Sequence, residues 1–315
     1  MGASGLSSRA IIGLFFQRLE ASLGSSWVNA VSTPFNSNQE SETYKWLGMS
    51  PALREMVGGI QPRGFRENGI TVTNKTFEAS LEVMVDELRR DKTGQIRVRI
   101  AEMADRAAEH WAKLLSTLIA NGDGSTSGLC YDGQYFFDND HSEGSSGTQI
   151  NALTASQVAT LNVGTAAAPT PAEMQLAILD AVAYMLAYKD DQGEPMNAEA
   201  REFMVMCPPG KIFASALTAV TQPVINSSTN PLQNTGFRLS AVCNPRLTWT
   251  TDFAIFRTDA ETKAFIRQEE VPTKMEAIAE GSEEEIRNNR HIYAVKAVRN
   301  VGYGYWQRAA RCTLS

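Results

Sequence analysis

The residues best suited to chemistry lie at positions 131–141, where Asp132, Asp138, Asp140 and His141 fall within ten residues of one another among the aromatics Tyr131, Tyr135, Phe136 and Phe137. Three carboxylates and an imidazole so close can hold a hard cation or act as an acid/base pair. An EF-hand loop needs acids at every second position, a central glycine and a closing glutamate. Here Gly133 follows the first aspartate directly, so that spacing is absent. An Asp-x-Asp-His set can still ligate a metal with help from elsewhere in the chain. The alternative is structural: Asp132 and Asp138 bind backbone amides in a turn, and the aromatics anchor the loop. The structural reading is adopted as the expectation, with no metal and no cofactor.

Other chemistry finds little support. The chain has no G-x-x-x-x-G-K-[ST] loop, no strand–G-x-G-x-x-G–helix and no G-x-S-x-G elbow. Gly122-Asp123-Gly124 and Gly302-Tyr303-Gly304 are not phosphate loops. Cys130, Cys207, Cys243 and Cys312 are far apart, and the histidines are His110, His141 and His291, so zinc spacing is missing and the thiols read as small buried side chains. His110 reads as a helix-face residue beside Trp111. Arg89, Arg90, Lys92, Arg97 and Arg99 are interleaved with Asp86, Glu87 and Asp91, which reads as a solvated or subunit-contacting surface.

The elements that must position these residues follow from hydrophobic spacing. The chain has 315 residues, 43% of them hydrophobic, enough for one large domain or two ordinary ones. Its formal net charge of −6 argues against a nucleic-acid binder by bulk charge. No apolar run approaches the ~20 residues that span a bilayer, and the N-terminus lacks the order of a secretory signal, so a cytoplasmic origin is the default. Residues 7–23 carry Ile11, Ile12, Phe15, Phe16 and Leu19 at helical spacing behind Ser7 or Ser8 as N-cap. That apolar face must bury against the chain's own core or against another copy.

Residues 24–42 read as an extended polar arm, and Ser50-Pro51 opens a short helix through Met56. Residues 60–85 read as a long hairpin with Asn68-Gly69 at a turn, and Phe77, Ala79, Leu81, Val83 and Val85 line one face of its second half. The first half is polar and needs a neighbour to hold it. Residues 96–121 read as a single spine helix, about 39 Å long at about 1.5 Å per residue. Thr170-Pro171-Ala172-Glu173 is a capping box opening a buried helix to about Lys189. Strands follow at 202–207, 237–242, 252–257 and 265–267, with a helix at 211–220 among them. Two further strands are predicted at 271–279 and 291–311, around an acidic turn or helix.

Some of these segments resemble a known family. Thr76-Phe77-Glu78-Ala79-Ser80-Leu81-Glu82-Val83 with Asp86-Glu87-Leu88 and Asp91-Lys92-Thr93-Gly94 is similar to the Mu-like phage major head subunits. So are Leu129-Cys130 with the loop through His141, the ending Val301-Gly302-Tyr303-Gly304-Tyr305-Trp306-Gln307, and the stretch holding Tyr44, Trp46, Leu47 and Gly48. The order of elements resembles the Hong Kong 97-type fold of tailed-phage capsid proteins.

The resemblance implies an α+β, HK97-like capsid fold. Its parts would be an N-terminal arm (1–57), an E-loop hairpin (58–85), a P-domain (86–200, spine helix about 96–121), an A-domain (201–265) and closing strands of the P-domain (266–315). It implies a structural, non-catalytic subunit that assembles as hexamers and pentamers around double-stranded DNA, without sequence-specific recognition and without a membrane. The subunit would meet a separate scaffold protein, a portal and decoration proteins, first in the host cytoplasm and then in the virion. Subunit-interface candidates are Arg63, Arg66, Asn74, Lys75, Phe77, Glu78, Arg89, Arg97, Asp138, Asp140, Asn226 and Asn230. A Lys75–Asn74 cross-link is a remote extension of the same resemblance. A metal-dependent hydrolase using residues 132–141, or a tail or adaptor subunit, stands as the alternative.

Overall fold

A computed structural model describes residues 7–22, 24, 26–47, 69–91, 94–233 and 236–315. The predicted helix after Ser50-Pro51, Asn68 of the turn, Lys92, Arg63 and Arg66 lie outside them.

The chain opens with α1 (Ser8–Ala21), whose N-cap Ser7 accepts a hydrogen bond from the Ala10 amide. Next come α2 (Trp27–Val31), β1 (Ser32–Asn36), β2 (Ser41–Tyr44), β3 (Ile70–Thr73), β4 (Lys75–Met84) and α3 (Val85–Arg90). Then follow α4 (Gln95–Ala108), α5 (His110–Ala120), β5 (Ala152–Leu153), α6 (Pro171–Leu186), β6 (Glu202–Cys207) and α7 (Lys211–Thr221). The last third holds β7 (Val224–Ile225), β8 (Ser228–Thr229), β9 (Arg238–Cys243), β10 (Asp252–Arg257), β11 (Phe265–Ile278), α8 (Glu283–Asn288), β12 (Arg290–Tyr303) and β13 (Ala309–Thr313).

Two sheets organise this α+β chain. One has the order β1-β11-β12-β4, the other β5-β13-β10-β6-β9. Each has its own apolar core. A smaller core gathers Ile11 and Phe15 of α1, Ile100 and Ala104 of α4, and Val83, Met275, Tyr293 and Val295 of the first sheet. A larger core holds α5, α6, α7, the second sheet and the aromatic loop. The apolar face of α1 therefore packs on its own chain. The capping box of α6 forms as the sequence predicts, with Thr170 and Glu173 bonding reciprocally.

Four expectations are corrected. The spine helix is two helices, α4 and α5, interrupted at Glu109, where ψ is −3°. The reason is that the two halves serve different cores: Ile100 and Ala104 face one, while Ala112, Leu115, Leu118 and Ile119 face the other. The polar arm is folded, since Trp27, Val28 and Val31 are buried in α2 and β1 runs parallel to β11. The first half of the predicted hairpin lies outside the described residues. β3 pairs with β2, and β4 pairs along ten residues with β12, from Met84↔Arg290 to Lys75↔Arg299. The strands predicted at 265–267 and 271–279 are one, β11, with register shifts around Val271. Pro272 lacks an N–H for the ladder at that point, so the pairing is interrupted without ending.

The segment predicted as one strand over 291–311 is the fourth correction. It passes from the first sheet (β12) to the second (β13) through Gly304-Tyr305 and a turn of 3-10 helix at Trp306–Arg308. A Cβ on Gly304 would lie 2.8 Å from the Lys263 carbonyl oxygen and 3.0 Å from that of Ala264, so only glycine lets the chain cross here.

Candidate functional site

The aromatic loop is pinned where the two sheets meet. Phe136 is fully buried, with ring centroids 4.9 Å from Phe137, 4.8 Å from Phe265 of β11 and 4.9 Å, stacked, from Tyr303 of β12. Tyr131 stacks edgewise on Tyr305, and its hydroxyl donates to Gln307 at 2.9 Å. Burial pushes the Tyr131 phenol well above its ordinary range.

The carboxylates divide between two duties. Asp132 Oδ2 lies 2.6 Å from His141 Nδ1, with both side chains buried. The His141 ring lies flat on Trp306, with centroids 4.0 Å apart and planes 9° apart, and its Nε2 lies 3.2 Å from Asn151 Oδ1. Asp138 accepts from the backbone N–H groups of Tyr135 and Asn139, and its own N–H donates to Asn151 Oδ1 at 2.8 Å. The Asn151 amide then donates to the Phe136 carbonyl at 2.7 Å. These hydrogen bonds close a turn, which is the structural role expected for the loop. Among the described residues no group of three or more His, Cys, Asp or Glu is arranged to hold a metal ion.

Asp132 and Asp140 differ in burial. Asp140 is exposed, whereas Asp132 carries the buried contact. We expect Asp140→Ala to change unfolding free energy by no more than about 0.5 kcal/mol, the usual range for surface substitutions. A urea titration of both proteins checks this, and a loss above 1 kcal/mol would contradict it.

The interface candidates are not brought together. Asn74 is turned inward, its amide donating to the Gln39 carbonyl at 2.8 Å and to Ser37 at 3.2 Å. That use fixes the β3–β4 junction on the β1–β2 connection and opposes its role as a partner contact or cross-link. Asn230 is likewise corrected: it is fully buried, donates to the Ala219 and Gln222 carbonyls and accepts from Leu232 N–H. A short polar side chain that can satisfy three backbone groups is more useful inside a turn than on a surface.

Lys75, Glu78, Arg89 and Arg97 are exposed on β4, α3 and α4, and Arg89 pairs with Asp86. Phe77 is half-buried, its ring 4.4 Å from His110. Asn226 is exposed, and with Ser227 it has positive φ (50° and 63°), as a two-residue turn between β7 and β8 requires. Trp306, Asn151 and Gln307 are the site residues that sequence reasoning missed as partners of the loop. The only signal was the composition of the Tyr305-Trp306-Gln307 ending.

His110 lines a groove of about 930 Å³ between β4, β12 and the α4–α5 junction. Burial lowers its imidazole to about 4, and Arg299 and Lys113 add to the shift. The unfolded chain therefore binds more protons between the ordinary 6.5 and about 4. This stabilisation is full above that window and is lost as pH falls through it. We expect the urea midpoint to fall more for the wild type than for His110→Gln between about pH 7 and about pH 5.5, before most carboxylates titrate. Equal losses would show that the ring is not held neutral.

Comparison with known proteins gives these features a context. The family described as Mu-like prophage major head subunit gpT matches residues 12–171, just over half of the chain. The major capsid protein of Escherichia phage Mu is 36% identical over 113 residues, which is 36% of each chain. The Mu-like prophage FluMu major head subunit of Haemophilus influenzae is 30% identical over 128 residues, 41% of each chain. The aligned segments thus span well under half the length of these curated relatives. The procapsid of bacteriophage JBD30 shares the fold, with a TM-score of 0.55 at 21% identity over 98% of this chain and 75% of that one. The capsid of the same phage decorated with minor capsid protein trimers gives 0.51 at 17% identity over 94% and 66%.

Proposed function

Since the chain belongs to the Mu-like prophage major head subunit family, we propose that it is the major capsid protein of a phage head, assembling with copies of itself into an icosahedral shell that holds double-stranded DNA. The observation that carries this reading is the family match from α1 to the start of α6. The likeness of nearly the whole chain to the JBD30 procapsid subunit agrees with it at the level of fold.

The functional parts map as follows. Strands β6, β9 and β10 of the second sheet with α7 (201–265) form the A-domain at the axis of hexamers and pentamers, where the β7–β8 turn at Asn226 meets its neighbours. Residues 86–200 and 266–315 form the P-domain. Residues 58–85 are the E-loop, with the exposed Lys75 and Glu78 available to an adjacent copy, and residues 1–57 are the N-terminal arm. Many modest contacts repeated by symmetry stabilise a closed shell without a catalytic centre. A separate scaffold protein directs assembly, a portal occupies one vertex, and minor proteins decorate the outside, as trimers do on JBD30. The hydrolase alternative is weakened because Asp132 and Asp138 are engaged by His141 and by backbone amides.

Negative-stain microscopy of the protein, expressed alone and with its scaffold, tests the reading. Rings, tubes or shells are expected. A chain that stays monomeric under both conditions would sink it, and tail-like fibres would favour the tail or adaptor alternative.

A further inference from the structure

Two arginines converge on one tryptophan of α5, and one of them, Arg299, lines the groove between β4 and α5. The guanidinium carbon of Arg299 lies 4.8 Å from the centre of the Trp111 ring, and that of Arg267 lies 5.4 Å from it. Arg299 is on β12 opposite Glu269, and Arg267 is on β11 opposite Val301, so the two stand diagonally on one face of the sheet. The Arg299 side chain is only 5% exposed. Its Nη2 donates to Thr273 at 2.9 Å, and Nη2 of Arg267 donates to Asn29 at 2.7 Å. Both partners are neutral. The nearest carboxylate, Glu269, is 3.8 Å from Arg299 Nη1, beyond hydrogen-bond distance.

Three buried polar atoms around this point have no hydrogen-bond partner among the described residues: Nε of Arg267, Nε of Arg299 and Nδ1 of His110. Leaving buried groups of this kind unpaired is costly, and more so when they are charged. Lys113 stands on the groove wall with Arg299 and His110. The acids of the same wall are engaged elsewhere: Glu109 with Arg246 at 2.7 Å, Asp105 with Arg18 at 2.8 Å and Glu102 with Arg99 at 3.4 Å. Glu78 faces Lys296 across the β4–β12 ladder. Two guanidiniums, a lysine and one off-distance carboxylate leave an excess of positive charge in a partly desolvated notch. Burial lowers the proton affinity of both arginines, and Glu269 opposes that shift.

We propose that this notch is an oxyanion site, in which a phosphate-type ion accepts from Arg299 and Arg267 with Lys113 closing the open side. Guanidinium groups suit tetrahedral oxyanions because their N–H groups diverge in a plane and make charge-assisted hydrogen bonds. The ion would join β11 and β12 to α5, close to its junction with α4 at Glu109. The site is independent of the assembly reading.

The test uses the full chain before assembly, titrated with sodium phosphate against sodium chloride at matched ionic strength, with the thermal midpoint and tryptophan fluorescence followed. A saturable rise of the midpoint in phosphate over chloride is expected. Arg299→Gln should weaken the apparent phosphate affinity by about tenfold or more, the scale of one lost charge-assisted bond. Lys113 is exposed, so Lys113→Gln should fold normally and weaken affinity by severalfold. Equal responses to phosphate and chloride would overturn the proposal. So would an unchanged affinity in Arg299→Gln or, if that variant fails to fold, in Lys113→Gln. Lack of any phosphate response combined with failed particle assembly in Lys113→Gln would overturn it in favour of a carboxylate from a second copy.

Discussion

Phe136→Ala is expected to destabilise the chain by about 3–5 kcal/mol, the cost of deleting a fully buried aromatic ring from a packed core. Phe136 touches rings from the loop itself and from strands of the first sheet, and Tyr303 in turn donates to the Leu118 carbonyl of α5 at 3.1 Å. The cavity would open where loop, sheet and helix meet, so partial collapse cannot fill it from one side. Denaturant unfolding followed by circular dichroism reads the loss. Phe136→Leu should recover part of it by refilling volume. A change below 1 kcal/mol for the alanine variant would mean that the ring cluster does not hold the loop.

Asp132→Ala should cost about 3 kcal/mol, because it leaves the buried His141 ring facing an emptied position. The imidazole is sealed between Trp306 and Asn151, so water cannot readily replace the carboxylate. Asp132→Asn keeps the shape and one acceptor, and should lose less. Set beside the near-neutral Asp140→Ala, the pair separates a structural lock from a surface charge within one loop. If Asp132→Ala and Asp140→Ala unfold at the same urea concentration, the lock does not exist. Under the capsid reading, Asp132→Ala should also lower the yield of particles, since a subunit that opens locally presents its contacts less often.

What could be read in advance depended on how local each determinant was. The α6 capping box, the Ser7 cap of α1 and strands β6 and β10 are carried by neighbours within a few residues, and they appear where spacing places them. Apolar periodicity also marked residues 96–120 as helical, but it could not show the turn at Glu109. A helix that changes partner midway keeps its period while its buried face rotates. The same limitation hid the division of β12 from β13, because alternation continues through a strand that moves from one sheet to another.

In the aromatic loop, the sequence by itself determined the components: acids suited to turns, rings suited to a core, and no spacing that matches a known metal loop. Only the tertiary structure decided which acid mattered. Asp132 meets a histidine nine residues on, and that histidine rests on Trp306 from the far end of the chain. Asp140, two residues from Asp138, points to solvent. The physical reason is that a carboxylate's role follows from its burial and its partner, and both are set by how distant segments pack.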